Sequence, residues 1–568
     1  MKRTSGQRLN TYPDGLGIDQ RFFSFLSVCQ NWRAVAWPLL YQEAFLQVSR
    51  DSDKLGSKMY IFGNTDEYND FPSLETAVNS GAEQMVKTLH VTVPLAEIAS
   101  GLLVPLLESG PLAGKVFPEV TRVIFTGCAD KISVSEGLQA EVAQNISEFC
   151  GLFRTMLPAA SDIVFRLDAN SATISEPSID RIFELITKSA KGVYYVNKNV
   201  YATSPYMPKA INSKGLTSLT FSDASAEGAH VQIARLCVST LESLCVSILE
   251  REQCINLIQD DIKLPLKYPH LKRLVFKKVP WALVELPDDF SAPDVVLFPE
   301  LAYLECDDKY PYKCDILLRG NSPKIQHLSA PLFSELRDDF VLRIAMNPRY
   351  FPNLYHINIG PVNSRHGKFE KESLQVLNLL SSLAPGFRSL QSPMHLPEGC
   401  DRILTLLDNS KVLDSVQSLD LPNMKFTQDG LISIIGSLPQ LVKLRCGIED
   451  SRRQPRRRVG KSGVRYLSRR HTILQRCRFQ TLALAWFQLN DSLYVAERIL
   501  VLAILLPMMK HVVTRDEGEC YDIEKHMPGL LESPVFRNHA GRLECVKFSA
   551  SSTCCSVVSQ VRADGFAA

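Results

Sequence analysis

A short apolar phrase recurs along this chain and constrains its fold more than any other feature. The phrase reads aromatic or Leu, Pro, any residue, apolar, two of any type, apolar, one of any type, apolar. Full copies are FPEVTRVIF from Phe117, YPHLKRLVF from Tyr268, FPELAYLEC from Phe298, FPNLYHINI from Phe351 and LPQLVKLRC from Leu438. From Leu216 to Leu354 the first apolar positions of successive copies lie 25, 30, 30, 24 and 29 residues apart. A period of this length is typical of repeat proteins.

The apolar residues of the phrase predict a one-sided β-strand, because side chains two apart on a strand share a face. Leu301, Leu304 and Cys306 are therefore expected to point into a core. Three such side chains gain too little on burial to order a repeat of this length alone, so neighbouring repeats must stack. The proline before each strand cannot donate to a ladder or continue a helix, and it predicts the corner at which the strand begins.

This pattern resembles the leucine-rich-repeat family, in the long, irregular form that pairs each strand with an α-helix. The resemblance covers residues 86 to 549 and implies an α/β fold, a leucine-rich-repeat solenoid with a curved parallel sheet and outer helices. The Asn or Cys that usually follows the strand phrase in that family is missing here, so the repeat boundaries stay open. The alternative is an ordinary set of α/β domains in which the Pro-apolar strands are a coincidence.

The stretch FFSFLSVCQNWRAVAWPLLYQEA, residues 22 to 44, predicts a helix with one apolar stripe that is disturbed at Pro38. The motif VCxxWRxxA within this stretch resembles the closing helix of an F-box, a short helical module that docks onto the Skp adaptor of cullin-type ubiquitin ligases. The resemblance implies that Val28, Cys29, Trp32 and Arg33 contact the adaptor. The Leu-Pro helix that opens an F-box is not seen in the preceding residues, so we expect the F-box to be incomplete.

The predicted domain organisation has four parts. Residues 1–50 form the F-box-like segment, 51–85 a linker or N-terminal cap, 86–549 the solenoid and 550–568 a tail. Within the solenoid, the basic stretch 451–470 is either a solvated insertion or a nuclear import signal or anionic contact surface. The Gly460-Lys461-Ser462 triplet does not form a phosphate-binding loop, because Pro455 stands where the first glycine of that loop is required.

The residues between the inward positions of each strand are expected to face a groove that binds a protein substrate. The candidate groove residues are Arg273, Tyr303, Glu305, His327, His356, Lys443 and Arg445. An F-box-like segment followed by leucine-rich repeats resembles the substrate-recognition subunits of Skp-cullin-F-box ubiquitin ligases. That resemblance implies the Skp adaptor, the cullin complex and a protein substrate as partners. The alternative is a repeat scaffold without a ubiquitin role, in which Trp32 only caps the first repeat.

The charge balance, the motifs and the cysteine usage of the sequence give no indication of another functional class. The chain has 63 basic and 61 acidic residues, a balance that gives no reason to expect nucleic acid or a membrane surface as a partner. HExxH, GxSxG and CxxC motifs are missing from the sequence, so we expect no catalytic residues, no metal and no cofactor. The fifteen cysteines fit reduced thiols. With no secretory signal visible and its longest apolar run confined to 499–509, we expect a cytoplasmic or nuclear protein.

Overall fold

The computed structural model describes a large part of the chain in separate stretches. They are residues 40–50, 59–62, 73–128, 139–168, 176–197, 207–209, 211, 215–222, 228–247, 251–260, 264–277, 296–306, 324–331, 352–360, 386–391, 415–426, 428–448, 478–487, 511–514 and 545–548. The chain divides into two compact units, one of Met1–Ala282 with Leu297–Pro299 and one of Leu283–Val296 with Glu300–Ala568. Across these stretches, every helix is too short or too polar to cross a bilayer.

The first unit contains a parallel run of strands, most of which pair with the next strand along the chain. Its strands are β1 (Glu43–Arg50), β2 (Met59–Phe62), β3 (Thr88–Pro94), β4 (Arg122–Cys128), β5 (Asp162–Asp168), β6 (Gly192–Asn197), β7 (Ser218–Phe221), β8 (Ser243–Ser247) and β9 (Arg273–Lys277). Strand β1 pairs in parallel with β3, and β2 adds to β1 as an antiparallel strand. The pairs from β3 to β9 are all parallel.

The second unit repeats this parallel order. Its strands are β10 (Tyr303–Cys306), β11 (His327–Pro331), β12 (His356–Gly360), β13 (Ser389–Gln391), β14 (Ser418–Phe426), β15 (Lys443–Ile448), β16 (Thr481–Phe487), β17 (His511–Thr514) and β18 (Cys545–Phe548). Each pairs in parallel with its successor. Consecutive parallel pairing is what a solenoid requires, and it rules out scattered strands in unrelated domains.

Helices lie between the strands of the first unit, and one is described in the second. They are α1 (Leu74–Asn79), α2 (Leu95–Ala99), α3 (Leu103–Ser109), α4 (Gln139–Met156), α5 (Glu176–Ile186), α6 (Ala229–Leu236), α7 (Arg251–Ile258) and α8 (Gln428–Ser437). Short 3-10 turns span Glu83–Met85 and Thr187–Ser189. Helix α4 packs on α5, and α6 packs on α7, so successive repeats contact one another through their helices as well as their strands.

Three copies of the recurring phrase build their corners in the same way. In these copies the amide of the first apolar residue donates to the carbonyl of the opening residue. The N–O distances are 3.3 Å for Val120 to Phe117, 3.4 Å for Leu271 to Tyr268 and 3.0 Å for Leu441 to Leu438. The proline occupies the turn between them, as predicted. The opening and first apolar side chains of these copies are buried. The phrase therefore consists of a tight turn followed by a strand whose apolar side faces the core.

Backbone hydrogen bonds fix the register between repeats. The amides of Gln326 and His327 both donate to the Ala302 carbonyl, at 2.9 and 3.0 Å, and the same double contact recurs one repeat later at the Gln326 carbonyl. Because one carbonyl accepts two successive amides of the next repeat, a one-residue slip would break both bonds. Such a slip would also turn every apolar side chain to the wrong face.

The structure confirms the predicted leucine-rich-repeat solenoid. Leu301, Leu304 and Cys306 are buried, as the alternation predicts. In the first segment of the predicted domain organisation, residues 43–50 form β1, and β2 and α1 lie within 51–85. The F-box-like residues 28–33, the basic stretch 451–470 and the tail lie outside the described residues, and the four domain boundaries stay predictions.

Candidate functional site

The strands share up to four register positions, which we number from the first residue of the parallel ladder. In β10 they are Tyr303, Leu304, Glu305 and Cys306, at positions 1 to 4. Leu304 and Cys306 are buried, while Tyr303 and Glu305 are partly exposed on the other face of the sheet. We call positions 1 and 3 of strands β10–β15 the polar face, because its position-3 residues are polar or charged in every strand. They are Glu305, Ser329, Asn358, Gln391, Asp420 and Arg445.

Three aromatic side chains stack in a row at position 1. The rings of Tyr303 and His327 have centroids 3.9 Å apart and planes 7° from parallel, and those of His327 and His356 are 4.1 Å and 9° apart. The row forms because the strands pair His327 with Tyr303 on one side and with His356 on the other. We call these three side chains the ring row. Parallel stacking across three strands holds each ring in a defined orientation.

An acidic side chain flanks the ring row at its first strand. The Tyr303 hydroxyl donates to Oε2 of Glu305 at 2.5 Å. Burial lowers the pKa of the His356 imidazole below its ordinary value, and the negative charge of Glu305 opposes that shift. A lowered pKa keeps His356 uncharged at neutral pH, which suits a ring packed against another ring.

The middle and far strands of the polar face carry amides, hydroxyls and one shielded ion pair. Asn358 Nδ2 donates to the Ser329 hydroxyl at 2.9 Å. Two strands further, an Arg445 guanidinium nitrogen lies 3.3 Å from Oδ2 of Asp420, and these side chains are only 18% and 20% exposed. The second carboxylate oxygen of Asp420 is buried and has no hydrogen-bond partner within the described stretches. At position 1 of β15, Lys443 is exposed.

This arrangement suits recognition. It offers stacked rings, hydrogen-bonding amides and charges of both signs at fixed spacing along parallel strands. In the part of the chain that the structure describes, His, Cys, Asp and Glu side chains nowhere gather in groups of three or more that could hold a metal ion. The thiol of Cys446, at position 4 of β15, is buried, and burial raises its pKa far above its ordinary value. A thiol in that state is a core group and a poor nucleophile.

The structure places all seven candidate groove residues at register positions 1 or 3. Arg273 lies on β9 of the first unit, and the other six lie on the polar face. Whether these residues bind a substrate stays a prediction. The sequence analysis did not identify two residues of the face, Asp420 beside Arg445 and Ser329 beside Asn358 on adjacent strands. Counting position 3 from the phrases at Val416 and Ile325 identifies both, so the repeat register carried the signal.

Val28, Cys29, Trp32 and Arg33 lie outside the described residues, so their predicted contact with an adaptor stays a prediction.

The fold and the polar face define the class of this protein as a leucine-rich-repeat solenoid. No protein-family profile matches the chain, and no curated protein matches it. Among solved structures it is similar to the crystal structure of a TLR13–ssRNA13 complex, at 10% identity and a TM-score of 0.32, over 77% of this chain and 64% of that one. A second is a protein from Bacteroides fragilis, at 12% identity and a TM-score of 0.28, over 65% and 86% of the two chains. The chain thus spans less than two thirds of the TLR13 chain. The RNA is a component of that complex. The strand register is what shows the fold of this chain.

Proposed function

We propose that this chain is a non-catalytic protein-interaction scaffold, and more specifically the substrate-recognition subunit of a Skp-cullin-F-box ubiquitin ligase. The observation that carries the scaffold role is the polar face, where the ring row, amides and charges stand in register on six adjacent strands. The ubiquitin role is supported by the sequence order, in which the VCxxWRxxA segment precedes the repeats.

The chemistry of the polar face favours a protein partner. Tyr and Arg are the residue types most often found as energetic anchors in protein interfaces, and both occur here at defined positions. The face carries two carboxylates, Glu305 and Asp420, and two cations, Lys443 and Arg445, which balance. A surface that follows a nucleic-acid backbone needs an excess of positive charge.

Affinity capture of the full chain from cells tests both levels of the proposal. We expect the wild-type chain to recover Skp, cullin and at least one further protein. Trp32→Ala should remove Skp and cullin and keep the further protein, whereas Tyr303→Ala with His356→Ala should do the reverse. Tyr355→Ala is the matched control, because Tyr355 is 42% exposed and lies just outside the polar face. Recovery of neither Skp nor cullin by the wild-type chain would contradict the ubiquitin role.

A scaffold without a ubiquitin role is the second candidate, and one observation favours it. Strand β1 begins eleven residues after Trp32, at Glu43, and pairs directly with β3. The segment predicted to be helical is therefore joined to the repeat sheet by a short stretch of sequence, as expected for a terminal cap. In that case Trp32→Ala would lower the free energy of unfolding by about 3–5 kcal/mol, as expected for a lost core aromatic, and would remove no partner selectively.

A further inference from the structure

The ring row stops at His356, although the strands continue. His327 has a ring on each side, whereas among the described residues His356 stacks only against His327. On its other side the position-1 neighbour is Ser389, followed by Ser418 on the next strand. A hydroxymethyl group does not cover an imidazole face. Within the described stretches, the second face of the His356 ring is therefore open above two small side chains.

The space beside the open face of the His356 ring is wide enough for one planar side chain. Neighbouring strands lie about 4.8 Å apart, so three strand spacings, roughly 14 Å, separate position 1 of β12 from position 1 of β15. The rings already in the row stack at 3.9 and 4.1 Å. One further ring at that distance would lie above Ser389 and leave room before Lys443. We call this place the serine gap; its boundaries are His356, Ser389, Ser418 and Lys443.

The far side of the serine gap carries an available positive charge. Lys443 is exposed, and it has no ion-pair partner among the described residues. Its neighbour Arg445 is held by Asp420 at 3.3 Å. The acidic residue Glu305 lies on β10, five strands away from Lys443. A carboxylate brought to this side would therefore meet an attractive local field.

We propose that the serine gap binds an acidic-aromatic segment of a partner protein, with an aromatic side chain stacked on His356 above Ser389 and a carboxylate paired with Lys443. This site rests on the proposed function, in which the polar face binds a protein. Side chains two residues apart in an extended peptide lie about 7 Å apart on one side. With the ring about 4 Å from His356, that carboxylate lies about 11 Å along the span of roughly 14 Å, so the remaining distance to β15 is about 3 Å and within the length of the Lys443 side chain. The uncharged state of His356 supports stacking without a penalty for burying a cation.

The same ring face would accept a nucleotide base, so the test must separate the two ligands. Single-strand nucleic-acid sites combine stacking rings with a positively charged track for the phosphates. Here Glu305 lies beside the ring row, and Asp420 neutralises Arg445. The charge pattern therefore favours a segment that brings a single carboxylate.

Three synthetic peptides and the full chain, labelled with 13C at the histidine rings, test the proposal by NMR. The probes are acetyl-GSGWSDGSG-amide, the same peptide with Ala in place of Trp, and the same peptide with Lys in place of Asp. The first peptide should shift the His356 ring proton upfield in a saturable way, and the Ala peptide should not. The Lys peptide should bind about two- to five-fold more weakly, the range expected for one exposed ion pair. His356→Gln assigns the resonance.

Two substitutions show that the signal comes from the serine gap. Ser389→Trp fills the gap and should abolish the shift, whereas Ser218→Trp, at the equivalent position of β7 in the first unit, should leave it unchanged. Lys443→Glu should reverse the preference, so that the Lys peptide binds more tightly than the Asp peptide. This charge reversal keeps the test decisive if Ser389→Trp does not fold.

The proposal is overturned if the first peptide gives no shift, if the Ala peptide gives the same shift, or if Ser389→Trp changes nothing. It is also overturned if a single-stranded oligouridylate moves the His356 signal more strongly than the peptide does. Failure of this site is distinguishable from failure of the proposed function. In the first case, cellular partners captured through Tyr303 and His356 persist in Ser389→Trp; in the second, no partner depends on the polar face at all.

Discussion

The two units share one repeat geometry but place different side chains at position 3. In the first unit this position is apolar and buried in four strands, at Ile124, Val164, Cys245 and Val275. In the second unit it is polar throughout strands β10–β15. The sequence of a strand that is buried on both faces is a continuous apolar run, whereas a strand with one solvent-exposed face alternates apolar and polar residues. Four strands of the first unit therefore pack on both faces, whereas strands β10–β15 of the second unit keep one face polar.

Position 4 shows the same division. In the first unit it carries large rings that pack in a column, with Phe125 and Phe165 at 5.3 Å, Phe165 and Tyr195 at 6.1 Å, and Tyr195 and Phe221 at 6.2 Å between centroids. Phe183 of α5 meets this column edge-on, 5.2 Å from Phe165. In the second unit, the buried position-4 residues of strands β10, β14 and β15 are Cys306, Leu421 and Cys446, which are not aromatic. We infer that stability per repeat is concentrated in the first unit.

The largest expected effect comes from removing one ring of the column. Phe165→Ala should lower the free energy of unfolding by about 3–5 kcal/mol, because the buried side chain contacts rings on two strands and one helix and leaves a cavity. Cys306→Ala, at position 4 of the second unit, should cost at most about 1 kcal/mol. Urea denaturation followed by circular dichroism measures both. Equal losses would show that the rings do not distinguish the units.

A smaller effect is expected from exchanging position-3 residues between the units. Val164 is 2% exposed, so Val164→Asn buries an amide and should cost about 2–3 kcal/mol. The reverse exchange, Asn358→Val, loses one hydrogen bond to Ser329 and should cost about 1 kcal/mol or less. The same denaturation experiment compares them. A greater loss for Asn358→Val would mean that the polar face is structural and would weaken its role in recognition.

The sequence was sufficient for the period, the strands and their inward residues, because these depend on local alternation and on turns such as Pro269–His270 and Pro299–Glu300. It also placed Tyr303, His327 and His356 on one face. It could not predict their stacking, which depends on how residues 24 and 29 positions apart in the chain adopt matching rotamers across strands. The repeat register places Asp420 and Arg445 at position 3 of adjacent strands, but their contact depends on their rotamers in the same way.

The smallest effect at neutral pH concerns His230 on α6, and it grows on acidification. His230 is fully buried, packs edge-on against Phe221 at 5.9 Å, and donates from Nε2 to the Ser247 carbonyl at 2.7 Å. Burial lowers the pKa of this imidazole, and the Ser247 carbonyl only partly opposes the shift. Protonation would place an N–H at Nδ1, where no partner lies within the described stretches. Below the unfolded-state pKa of about 6.5, this imidazole binds a proton in the unfolded chain but stays neutral in the folded chain. The free energy of unfolding therefore falls as the pH falls.

Replacing each buried or half-buried histidine by Gln compares the two units directly. His230→Gln keeps an N–H donor for the Ser247 carbonyl and removes the titration, so its stability should fall less steeply than that of the wild type between pH 6.5 and 5. His356→Gln should change the slope less, because His356 is only half-buried and Glu305 favours its charged form. Urea midpoints at a series of pH values give both slopes. If His356→Gln removed the greater share of the acid sensitivity, the polar face of the second unit would be more tightly enclosed than the packed core of the first, and the contrast between the units would fail.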